Sequence, residues 1–112
     1  MFESEEKLGW ANDAYADGRW ADAIYHAYNV FVSSAKALLL DKGVNSSTQV
    51  GVIREFDAQY VEKGEFELGG TFNDLVLQIN QNEPSKEFAT AYLAQATEFL
   101  SKSKDKREAL VQ

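Results

Sequence analysis

The stretch RWADAIYHAYNVFVSSAKALLLDKG, residues 19–43, constrains the fold more than any other part of the chain. At 100° per residue, Trp20, Ile24, Ala27, Tyr28, Phe31, Ala35 and Leu38 fall within about 100° of one another. Ala23, Val30 and Ala37 make a second strip of smaller side chains beside them. A helix apolar over so much of its circumference has to be enclosed. It is therefore expected to be the central rod of an all-α, up-and-down bundle of four to five helices.

The flanking sequence supplies the other helices. A first helix is expected over Glu3–Asp17, with glutamates in its first turn where the helix dipole favours them, and Gly18 as its stop. Gly43 should end the rod. Asn45–Ser47 form a polar loop, and Ser46 with Gln49 has capping-box spacing for a third helix. That helix should run to about Lys63, with Val50, Ile53, Phe56 and Tyr60 marking its rows and Gly64 behind it. Phe66 and Leu68 should plug the bundle end. Thr71 and Asp74 can cap a short fourth helix through Ile79, and the stretch from Asn80 to Pro84 breaks it. Ser85 starts a last helix with Phe88, Ala91, Tyr92, Gln95, Phe99 and, more loosely, Leu110. At 112 residues, with no linker and no repeat, the sequence is expected to be a single domain over 1–112, as a whole protein or as a module of a larger one.

Composition removes several kinds of function. With no cysteine there is no disulfide, no thiolate metal site and no cysteine nucleophile. No window reaches the roughly eighteen unbroken apolar residues of a membrane span, and MFESEEKL lacks the order of a secretory signal, so the expected home is the cytoplasm. The net charge of −7 opposes binding to RNA or nucleotide phosphates. The local exception, SKSKDKRE at 101–108, is read as a solvated helix end whose cations complement the dipole.

Ala23 to His26, Ala37 to Leu40 with Gly43, and Gly51-Val52-Ile53 with Phe56 and Gly64 follow one another in an order and at loop lengths that are not generic. On these pieces, over about residues 10–68, the sequence resembles the HEPN domains (higher eukaryotes and prokaryotes nucleotide-binding). The resemblance implies a helical bundle, often dimeric. It also implies several possible settings: ribonucleases of toxin–antitoxin and defence systems, partners of small nucleotidyltransferases, or non-catalytic modules. Some of those modules are attached to bacterial enzymes such as sulfite or nitrite reductases.

Active HEPN ribonucleases use an Arg, four to six residues, then a His. Imidazole can move a proton from the ribose 2′-OH while guanidinium holds the phosphate. Here Arg19 and His26 have six residues between them and lie about 20° apart on the wheel, but about 10.5 Å apart along the axis. Trp20 follows the Arg where the family has a polar residue, Gln49 follows Thr48 where it often has His, and His26 is the single histidine. The expectation is a non-catalytic domain used for homodimerisation or for docking to another protein or domain. Its contact strip is Ala23, His26, Val30, Ser33 and Ala37. The alternative is a metal-independent ribonuclease or toxin using Arg19 and His26, or a nucleotide-binding partner. No cofactor and no metal is expected: Asp13, Asp17 and Asp22 lack the Glu-x-x-His companion of a di-iron bundle. Gly69-Gly70-Thr71 lacks the Lys and strand of a phosphate loop, so it reads as a turn and a cap. Trp10, Trp20, Tyr28, Phe31, Phe56, Tyr60, Tyr92 and Phe99 read as core rather than as the lining of a pocket for a planar ligand.

Overall fold

The computed structural model describes residues 2–110, the last by its backbone alone, so the expected place of the Leu110 side chain lies outside the described residues. Five α-helices are present: α1 (Phe2–Ala16), α2 (Trp20–Asp41), α3 (Gln49–Phe56), α4 (Phe72–Val76) and α5 (Lys86–Leu110). A π-helical turn at Asp57–Val61 extends α3, and a 3-10 turn at Leu77–Asn80 extends α4. The described residues contain no strand, so the chain is all-α as its periodicity demands. Among the described residues, no helix is long and apolar enough to cross a membrane.

α2 is the enclosed rod. Ile24, Ala27, Phe31, Ala35 and Leu38 are buried along it, and α1, α5 and α3 pack around it. α1 runs antiparallel to it: the Tyr15 ring meets Trp20, and Lys7 Nζ donates to Ser33 Oγ at 3.1 Å. α5 runs in the same sense as α2. Lys86 lies over the Trp20 ring at one end, Tyr92 and Phe99 meet Phe31 in the middle, and Arg107 pairs with Asp41 at the other end. Phe31, Phe56, Phe66, Phe72, Tyr92 and Phe99 form one aromatic core, with ring centroids as close as 4.6 Å between Phe56 and Phe72. Burying rings of this size supplies the largest apolar areas available to a small domain.

Loop 42–48 doubles back along α2. Tyr28 Oη donates to Gln49 Oε1 at 3.0 Å, and Lys42 Nζ donates to the Gln59 carbonyl at 2.7 Å, so α3 starts beside the middle of α2 and ends near its C-terminus. Gly43, at φ 76°, supplies the left-handed residue that ends α2 and begins this return.

Three local expectations change. The cap of α3 is Thr48, whose Oγ1 accepts from Gly51 N–H at 2.9 Å, rather than Ser46; the returning loop brings Thr48, not Ser46, to the first free N–H groups. Val50 points outward at 73% exposure, because Gly51, Val52 and Ile53 turn inward against α2. Ala91 is exposed, and α5 instead buries Ala89, Leu93, Ala96 and Leu100 beside Phe88, Tyr92 and Phe99.

Candidate functional site

Arg19, the N-cap residue of α2, and His26 within it do not converge. The Arg19 guanidinium is held by Asp22 at 3.0 Å and by Asp17 at 3.5 Å, so its charge is already answered by two carboxylates. His26 lies further along the helix among aromatics. Its ring meets Trp10 edge-on at 5.7 Å and Tyr25 at 5.8 Å. A phosphate arriving at Arg19 would have to displace those acids, with the imidazole about two turns away.

The other sequence candidates are filled from within the chain. The N-terminus of α4, preceded by Gly69-Gly70-Thr71, is occupied by Asp57: Phe72 N–H donates to Oδ1 at 2.6 Å and Asn73 N–H to Oδ2 at 3.0 Å. Thr71 caps the next N–H, from Asp74, at 3.0 Å. That helix end therefore already holds an anion, one the chain itself supplies. Among the described residues no group of histidines and carboxylates could hold a metal. Three of the four cations in the basic run of α5 are paired. Lys104 bonds Glu5 on α1, Arg107 bonds Asp41 on α2 at 3.0 Å, and Lys102 meets Glu98 at 3.4 Å. Lys104 and Arg107 thereby tie the last helix to the first two.

The strip expected to make contact divides in two. Ala23 and Val30 have no exposed surface, and Ala11 and Ala14 on α1 are likewise buried where α1 and α2 pack most extensively. Small side chains on both partners bring the two helices close. His26, Ser33 and Ala37 remain partly exposed on the same side of α2.

Ser33 and Ala37 open onto a groove of about 610 Å³ between the start of α1, the second half of α2 and the returning loop. Val32 and Val52 lie in its floor, and Phe2 and Leu40 at its lip. Polar groups come from Asn29, Ser46, Ser47 and Gln49, and charge from Glu3, Lys7, Lys36 and Arg107. Lys7 bonds Glu3 at 2.9 Å, and this hydrogen bond and charge hold the Glu3 carboxyl below its ordinary value. Lys36 makes no ion pair among the described residues.

Sequence reasoning missed this groove because it is assembled from parts far apart in the chain. Only one of its walls was legible: Asn29, Ser33, Lys36 and Leu40 recur at spacings of four, three and four, which is one face of α2. The reversal of loop 42–48 and the arrival of Arg107 have no sequence signal.

Comparison with known proteins places the chain. The family model described as the HEPN domain matches residues 1–109. A protein of Methanocaldococcus jannaschii named "Putative toxin MJ0605" is 38% identical over 64 residues, which are 57% of this chain and 48% of that protein. One of Pyrococcus horikoshii, named "UPF0332 protein PH1297", is 39% identical over 61 residues, 54% of this chain and 43% of that protein. The chain thus spans about half the length of the curated relatives it matches. No solved structure matches significantly. With its five-helix bundle and a family match along nearly its whole length, the chain belongs to the HEPN domain family.

Proposed function

We propose that this HEPN domain acts by binding another protein or domain rather than by cleaving RNA, and that the groove beside Ser33 and Ala37 is its contact surface. The observation that carries this reading is the state of Arg19 and His26. One is paired at the surface with Asp17 and Asp22, and the other is set among aromatic rings two turns away. Proton transfer and phosphate stabilisation need both groups at one reacting centre. A sequence without cysteine suits the reducing cytoplasm, where such a module would work.

A second reading follows from the archaeal relative whose printed name includes the word toxin. As a ribonuclease, the chain would cleave RNA in the presence of a chelator and arrest growth when expressed, and both effects would vanish in His26→Ala. The binding reading expects intact RNA and normal growth for parent and variant alike. It is overturned by cleavage that depends on His26. It is equally overturned by a protein that sediments as a monomer and retains nothing in a pull-down.

A further inference from the structure

We propose that the groove takes an acidic, apolar-bearing segment of a partner protein. This rests on reading the groove as the contact surface and adds the chemistry of what fills it. The first observation is where the exposed apolar side chains lie. Phe2 is 79% exposed and Leu40 is 52% exposed, both at the groove lip. Large side chains left in water around a concave surface mark an interaction site. Val32 and Val52 below them offer an apolar floor for the inserted residues.

The second observation is charge. The chain carries a net −7, yet the groove gathers Lys7, Lys36 and Arg107 against a single lining carboxylate, Glu3. Glu3 answers Lys7, and Asp41 answers Arg107. Lys36, one turn from Leu40, makes no ion pair among the described residues, and its charge adds to that of Lys7 in holding the Glu3 carboxyl down. The acidic remainder of the surface repels an acidic segment, so this positive rim is where its carboxylate is accepted, which fixes register.

The same bookkeeping disfavours a phosphate chain. Two of the three cations are already neutralised at 2.9 and 3.0 Å, so one unpaired lysine would face several negative charges. A peptide that sets one carboxylate between Leu- or Phe-like residues matches one free cation between apolar lips. The apolar side chains would supply the affinity and the Lys36 contact the orientation.

The test uses the whole chain as bait for a displayed random-peptide library, with the enriched peptides then synthesised. The expected consensus pairs Asp or Glu with large apolar residues. Amide shifts on titration should concentrate in residues 32–40 and 46–52. Lys36→Glu and Leu40→Ser, both at exposed positions, should each weaken binding about tenfold while leaving the melting temperature unchanged. Replacing the peptide's acids with Lys should abolish binding. The proposal is overturned by no enriched peptide, by a basic consensus, by shifts elsewhere on the surface, or by indifference to Lys36→Glu. Displacement of the peptide by ATP or inorganic triphosphate, or a dimer whose second copy protects the groove, overturns it too. These outcomes leave a binding role standing, although shifts elsewhere would move its contact surface off the groove, whereas RNA cleavage that depends on His26 removes the binding role itself.

Discussion

The Tyr60 hydroxyl donates a hydrogen bond of 2.6 Å to the backbone carbonyl of Leu38, one of the four carbonyls at the end of α2 that lack a partner within the helix. The π-helical turn carries two such connections. Asp57 caps the start of α4 while Tyr60 caps the end of α2. In a regular helix, residues three apart share a face; the wider turn separates them, so one short segment serves two neighbouring helices.

Tyr60→Phe should keep the ring packed against Phe56 and lose only the cap, costing about 1 kcal/mol, or about 4 °C in Tm. Burial, with help from the charges of Asp41 and Glu65, pushes the Tyr60 hydroxyl up to about 12 from an ordinary 10.0. The unfolded chain therefore ionises first, and this contribution is lost as pH rises from about 10 towards 12. Burial also raises the Tyr92 and Tyr28 hydroxyls, so ultraviolet titration should show several late phenolate components, of which Tyr60→Phe removes one.

Asp57→Ala removes the carboxylate from two N–H groups of α4, at 2.6 and 3.0 Å. Loss of charge-assisted bonds at a helix start should cost about 1.5–3 kcal/mol in urea unfolding. Asp57→Asn, which keeps one acceptor, should recover part of it. Equal stability for all three proteins would show that α4 does not depend on this cap.

Gly51 has no room for a side chain. A Cβ there would collide with Ser46 Oγ and come within 2.8 Å of Thr48 Oγ1. Gly51→Ala should destabilise by about 1–3 kcal/mol through overpacking. The double variant Ser46→Ala with Gly51→Ala should recover part of that loss, because the nearest obstructing atom is gone. Denaturant unfolding of the two variants reads the difference directly.

Ser34 Oγ is fully buried and has no hydrogen-bond partner among the described residues. Ser34→Ala removes a desolvated hydroxyl and almost no volume, so it should raise stability by about 1 kcal/mol. A lower Tm in that variant would mean the hydroxyl has a partner in solution.

Acid should weaken the fold. The hydrogen bond from Lys42 holds Glu65 below the ordinary 4.5, and the Lys7 and Lys104 bonds do the same for Glu3 and Glu5. Depressed carboxylates stabilise the folded state above their unfolded value, and that stabilisation is lost as pH falls through the lower folded values. Melts from pH 7 to pH 3 should fall below about pH 4.5, and the Lys42→Met variant should fall less steeply over that range.

The sequence alone determined the helices and the enclosed rod. The 3.6-residue rows of α2, the stops at Gly18 and Gly43, and the Thr71 cap are local signals written in residues a few positions apart. The order of motifs from Ala23 to Gly64 carried the HEPN family as well. What the small strip of α2 would face was not local. Ala23 and Val30 went to the interior because α1 returns antiparallel along them, while Ser33 and Ala37 stayed open to a groove. That groove exists only because loop 42–48 reverses and α5 brings Arg107 alongside Asp41. Periodicity says which residues share a face of a helix. Which face meets water is decided by how distant segments pack, and no spacing along the chain encodes that.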